Sequence, residues 1–143
     1  MPIDPTDRQL LTLLTENARA PVAELGRKLG LSRTTVQSRI ERLERRGVIA
    51  GYTARLSEDY EKGQVKAHVL ITALPKLAVR VETELRRIPE IRTLHSISGQ
   101  FDMIAVVVAP SIGELDGLID RIGALEGVER TMSSIILSTR IER

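Results

Sequence analysis

The period of the apolar residues changes once along this chain, and that change limits the folds open to it. Up to about residue 56 apolar side chains recur at helical spacing. From Val65 onward they alternate in short strand-like runs separated by helical ones. Between the two regimes Ser57 to Gln64, SEDYEKGQ, is polar, charged and closed by Gly-Gln, which predicts a hinge over 57–64. The expected class is α+β: a helical module over 1–56, then a mixed body over 65–143. With two Tyr, one Phe and no Trp, both cores must be built of Leu, Ile, Val and Ala.

In the first regime Asp4-Pro5-Thr6 opens a helix carrying Leu10, Leu11, Leu13 and Leu14. A second helix, Pro21 to Leu29, buries Val22, Leu25 and Leu29, and Gly30 supplies a tight turn. The third runs within Leu31 to Gly47, LSRTTVQSRIERLERRG, with Ser32 at the N-cap and Gly47 at the stop. Val36, Ile40 and Leu43 form one narrow apolar stripe on it. Helix, short Gly-containing turn, helix is the helix-turn-helix arrangement. Val48 to Leu56 reads as two short strands turning near Gly51, which would make the module winged.

Charge points to the partner of this module. Residues 1–56 hold ten Lys/Arg against six Asp/Glu, or +4, whereas residues 57–143 hold eleven against thirteen, or −2. Within 27–46 the ratio is seven to two. A cationic surface confined to one helical pair is the footprint expected of a double-stranded DNA contact. Arg33, Thr34, Thr35, Gln37 and Ser38, near the start of the third helix, are the candidate readers of base edges. Arg42 and Arg55 are candidates for phosphate, and Arg39 either joins them or pairs with an acid inside the module.

The second regime runs β-α-β-β-α-β. Val65 to Ala73 is a strand, Pro75 to Ile88 a helix, and Ile91 to Ser98 a strand. Gly99-Gln100-Phe101-Asp102 is a hairpin turn, and Met103 to Ala109 a central strand. The next helix carries Ile112, Leu115, Ile119 and Ile122 to about Gly127, and Val128 to Arg140 is the last strand. This is the ferredoxin-like plan, a four-stranded antiparallel sheet with both helices on one face. Its other face carries enough aliphatic side chains to need a cover, and a second copy of the chain is the economical one.

Other chemistries find little footing. The absence of Cys excludes disulfides and thiolate metal sites and fits a reducing cytoplasm. His68 and His95 are solitary, no metal-spaced or nucleophile motif occurs, and no cofactor is implied. Residues 1–20 lack the pattern of a signal peptide, and the most apolar window, Met103 to Ala109, is too short to span a bilayer.

Several local motifs together resemble the Lrp/AsnC family of feast/famine transcriptional regulators. They are Ala18-Arg19, Leu29-Gly30-Leu31-Ser32, Arg39-Ile40, Gly47-Val48-Ile49 and Gly51-Tyr52 in the first half. In the second half they are Pro89-Glu90-Ile91, Ser98-Gly99-Gln100-Phe101-Asp102 and Gly127-Val128-Glu129-Arg130-Thr131. The resemblance implies a DNA-binding regulator, dimeric through its sheets and assembling further to a tetramer or octamer. It also implies response to a small effector, an amino acid or similar metabolite. On that reading Gly99, Gln100 and Asp102 receive the effector, with Thr131 and Ser133 as neighbours on the last strand. The turn's amides would take its carboxylate and Asp102 its ammonium group. The plainer reading is a routine hairpin in which Asp102 caps backbone. Phe101 stands where family members commonly carry Tyr, which removes a phenolic hydroxyl from that turn. Two rival readings remain. One is an enzyme like the haem-precursor decarboxylases of similar two-part architecture, with His95 and Arg92 binding an acidic tetrapyrrole. The other is an architectural DNA binder that needs no effector.

Overall fold

The computed structural model describes residues 3–143. The chain divides into two compact units at the Arg55–Leu56 peptide. The first holds α1 (Pro5–Glu16), α2 (Val22–Leu29) and α3 (Arg33–Arg45). Asp4 caps α1, its carboxylate accepting the Asp7 N–H at 2.7 Å, and Pro5 occupies the first turn. Gly30 ends α2 in the left-handed conformation, φ +70°. The three helices close on Leu10, Leu14, Leu25, Val36 and Leu43, with Leu31 and Ile40 packed at the margin.

Gly26, inside α2, explains why the turn is so tight. The Leu31 N–H donates to the Gly26 carbonyl at 2.9 Å, and a Cβ on Gly26 would lie 2.5 Å from the Leu31 carbonyl oxygen. The connection thus folds onto the last turn of its own helix, which only a residue without a side chain allows.

The expected wing does not form. Gly47, at φ +74°, reverses the chain, and the N–H groups of Val48 and Ile49 both donate to the Leu43 carbonyl. Ile49 packs against the helical core, but residues 50–56 are exposed and none is in a strand. A two-stranded ribbon needs an apolar face to hold it, and Ala50-Gly51 brings none.

In the second unit β1 (Val65–Ala73) is followed by a 3-10 turn at Pro75–Leu77 and α4 (Ala78–Arg86). Then come β2 (Ile91–Ser96), β3 (Met103–Ala109), α5 (Ile112–Gly123) and β4 (Val128–Ile135). The sheet order is β2-β3-β1-β4 with every pair antiparallel, the ferredoxin-like arrangement. Ala67, Val69, Ile71, Ala105 and Val107 face Val81, Leu85, Leu115, Leu118 and Ile122 in a dry aliphatic core. On α5 Leu118 enters the core, whereas Ile112, expected inside, is 59% exposed in the first turn. The alternate sheet residues Leu70, Ile104, Val106, Val108 and Met132 are only half-buried or exposed. β4 ends at Ile135 rather than Arg140 because β1, its only partner, begins at Val65; one last bond joins the Ile136 N–H to the Lys66 carbonyl.

The segment read as a hinge is turned rather than extended. The N–H groups of Tyr60 and Glu61 donate to the Ser57 carbonyl, and Glu61 pairs with Lys66 at 3.0 Å. Among the described residues no helix is long and apolar enough to cross a membrane.

Candidate nucleic-acid interface and effector region

Ser32 starts α3, its hydroxyl oxygen accepting the Thr35 N–H at 3.2 Å. From that start Arg33, Thr34, Thr35, Gln37 and Ser38 are all exposed, as is Arg45 in the last turn. Thr34, Thr35, Ser38, Arg39, Glu41, Arg42 and Arg45 line a shallow hollow of about 480 Å³ on this face. Short hydroxyls beside guanidiniums can donate and accept along a groove with little apolar shielding. Gln37 donates to Glu41 at 3.2 Å, one helical turn away and equally exposed. Arg55 is exposed and has no ion-pair partner among the described residues.

Arg39 does something else. Its Nη1 donates to Asp4 at 2.7 Å and to Asp7 at 2.9 Å, and Asp7 also accepts from Nη2 of Arg42 at 3.2 Å. The Asp7 side chain is 2% exposed, so one buried carboxylate on α1 ties two arginines of α3 to it. The acid pairing open to Arg39 is present in this clamp, and its side chain also lines the hollow on the outward face. Arg42 is shared, for its side chain stays 41% exposed while its Nε is buried without a partner. The sequence does not mark Asp7 as their common partner, because Arg39 and Arg42 stand 32 and 35 residues away from it.

The clamp fixes a pH dependence. The Arg39 hydrogen bond, then the Asp7 N–H, hold the Asp4 carboxyl below the ordinary carboxylate range, and Asp4 with Asp7 pushes the Arg39 guanidinium up. A depressed carboxylate stabilises the fold above its unfolded value and loses that contribution as pH falls through the folded one. The raised Arg39 stays protonated throughout the working range. Unfolding temperature of the first unit should therefore hold from neutrality to about pH 4 and drop below it, and Asp4→Asn should shallow that drop. Melting curves of the full chain across pH check this.

In the Gly99–Asp102 turn Asp102 is bonded to the backbone of β1. The Asp102 N–H donates to the Ile71 carbonyl at 2.9 Å, and its Oδ2 accepts the Ala73 N–H at 2.9 Å. Ala73 needs that acceptor because the β1–β4 register shifts between Thr72 and Ala73. Asp102 thus caps backbone, as the plainer reading had it. It also lines a cavity of about 370 Å³ with Ser96, Leu94, Met103 and Glu82. Gly99 and Gln100 are exposed at the hairpin tip and do not line it. Thr131 and Ser133 pair with Ile71 and Val69, so β1 lies between them and β3. Within one chain the five residues do not meet in a single pocket. Phe101 is buried, with the Arg130 guanidinium 4.9 Å above its ring. His95 is exposed opposite Ile104, and a register shift between Ile91 and Thr93 falls at Arg92.

Residues 3–44 match the AsnC-type helix-turn-helix domain, and residues 66–143 match the Lrp/AsnC ligand binding domain. The chain belongs to the Lrp/AsnC family. It is 37% identical to the HTH-type transcriptional regulator LrpA of Mycobacterium tuberculosis, over 96% of this chain and 91% of that protein. The structure of E. coli AsnC superposes with a TM-score of 0.89 at 27% identity, covering 100% of this chain and 97% of that one. The crystal structure of the Mycobacterium tuberculosis leucine response regulatory protein does so with a TM-score of 0.79 at 35% identity, covering 98% and 96%. This Lrp/AsnC-type protein is accordingly a transcriptional regulator with a helix-turn-helix for DNA followed in sequence by a ligand-binding domain.

Proposed function

We propose that this Lrp/AsnC regulator reads its operators with the exposed N-terminal half of α3, tightens on phosphate with Arg33, Arg45 and Arg55, and works in the cytoplasm. The observation that carries this is the division of labour on α3. Arg39 is held by Asp4 and Asp7, whereas Arg33, Thr34, Thr35, Gln37 and Ser38 face outward together. Arg42, half tied to Asp7, adds a weaker phosphate contact. The half-exposed aliphatic residues on the open face of the sheet support assembly through a second copy, and paired recognition helices would then meet paired half-sites. The effector is an amino acid taken up near Asp102, where Glu82 and Ser96 share its cavity. The name of the leucine response regulatory protein supports that ligand class.

Fluorescence anisotropy of the full chain on operator and scrambled duplexes, across salt, tests the DNA half. Arg45→Ala should weaken binding to both duplexes and lower the slope of log K against log salt by about 1. Gln37→Ala and Ser38→Ala should instead shrink the ratio between the two duplexes and leave the slope in place. Equal losses on both duplexes from all three would remove α3 from base readout.

A further inference from the structure

One acid stands in the middle of the outward face of α3. Turning about 100° per residue places Thr34, Ser38, Glu41 and Arg45 within about 50° of the direction opposite Val36, Ile40 and Leu43. Gln37 and Thr35 lie further round on either side. Glu41 is exposed and lines the same hollow as Thr34, Ser38 and Arg45. Within 27–46 cations outnumber acids seven to two, and Glu41 is one of the two. The other, Glu44, falls about 110° from the centre of that face and lies beside the Tyr52 phenol.

The bonding of Glu41 differs from that of an ordinary solvated acid. Glu24 with Lys28, and Glu82 with Arg86, form ion pairs at i, i+4, as an acid one turn before a base does on a free helix face. Glu41 has Arg45 at that spacing, yet among the described residues it makes no ion pair. Its Oε1 accepts instead from the Gln37 amide at 3.2 Å, and Oε2 is left without a protein donor among the described residues. In a DNA groove that carboxylate would lie among phosphates and lose its water, which is costly unless a base supplies a hydrogen. In the major groove only the amino groups of cytosine and adenine do so. Adenine sets its N7 acceptor beside the amino group, where it repels a carboxylate. Cytosine carries the amino group with no acceptor of its own beside it.

We infer that Glu41 is a specificity-determining residue, whose carboxylate accepts from the N4 amino group of a cytosine in the major groove and disfavours the other bases at that position. The inference rests on the reading of α3 as the base-reading helix. Thr34 and Ser38 carry hydroxyls that both donate and accept, so each can rotate to suit more than one base. On this central strip Glu41 is the group that can only accept. Against guanine O6 or thymine O4 it sets acceptor on acceptor, a mismatch no rotation removes. Its charge also opposes binding to DNA in general, so it widens the gap between a matched site and the rest from both sides. Gln37 has a second part here, since its amide fixes where the Glu41 carboxylate stands.

The test selects binders from a randomised duplex pool with the full chain and, separately, with its Glu41→Ala variant. The parent selection should fix cytosine at one position of the site, and Glu41→Ala should relax that preference about tenfold while other positions hold. By anisotropy, Glu41→Ala should bind the parent's selected duplex about tenfold more weakly, and a scrambled duplex at least as tightly as the parent does. Replacing that cytosine by the analogue that lacks the N4 amino group should weaken the parent about tenfold and leave the variant nearly unchanged. Glu44→Ala removes the same charge from the same helix and should keep the cytosine preference. Uniformly tighter binding by Glu41→Ala with every preference intact would overturn the inference, as would an equal loss in both chains from the analogue. If Gln37→Ala and Ser38→Ala still shift preference in that case, the reading of α3 stands without Glu41. If no variant on α3 alters any preference, both fall.

Discussion

Gly127→Ala is expected to lower the unfolding temperature of the ligand-binding unit on the order of 20 °C. Two independent costs meet there. Gly127 has φ +99°, outside the region an L-residue tolerates, and imposing a side chain on such a backbone costs about 1–2 kcal/mol. The added Cβ would also lie 2.7 Å from the Leu77 Cβ and 2.9 Å from a Val81 methyl. A rotamer change cannot move the Leu77 Cβ, and Val81 is fully buried in the core. Overpacking of that kind adds about 1–3 kcal/mol. Retreat of the backbone is blocked as well, since the Gly127 carbonyl accepts the Leu74 N–H at 2.8 Å. Gly99→Ala is the internal control. Its φ is +109° but nothing lies within 4 Å of the new methyl, so only the conformational cost, about 1–2 kcal/mol, should appear. Thermal melts of the two variants side by side decide whether crowding or backbone strain dominates at Gly127; equal losses would dismiss the crowding.

These glycines mark where the chain was readable and where it was not. Gly30 and Gly47 stand at the ends of apolar periodic runs, so their capping role was visible, and both take positive φ. Gly26 lies inside a helix and owes its identity to the carbonyl of Leu31, a neighbour that only the folded turn supplies. The βαββαβ order was legible because strand and helix have different apolar periods. The wing was not, because Val48 to Leu56 has strand-like composition but no second segment to cover it. Arg39 shows the limit most clearly. Its spacing on α3 allowed either a DNA contact or an acid, and the acids it pairs with stand 35 and 32 residues away in Asp4 and Asp7. The backbone bonding of Asp102 met the same limit. A carboxylate in a Gly-rich turn looks free in one dimension, yet a register shift on another strand, at Ala73, had already engaged one of its oxygens.

Asp7→Ala carries the other large expectation, and it has two parts of opposite sign. Asp7 is the one buried charged residue of the described core, and its removal leaves Arg42 without its ion-pair partner and Arg39 with Asp4 alone. Stranding buried charge costs about 3–5 kcal/mol when no water reaches it. Here Arg39 keeps 24% and Arg42 41% of its side-chain surface, so about 2–3 kcal/mol is the expected loss for the helix-turn-helix unit. Replacing Arg39 by Met in the same chain should recover part of it, since an apolar side chain suits the vacated space. DNA binding should move the other way in one respect. Freed from Asp7, the Arg42 guanidinium can reach phosphate, so below the melting point the salt slope should steepen by about 1 even as stability falls. Simple unfolding would weaken binding without steepening the slope. Anisotropy titrations at low temperature, paired with melting curves, separate the two. A slope unchanged from the parent chain would mean that Asp7 holds the module together without regulating how much of Arg42 the DNA receives.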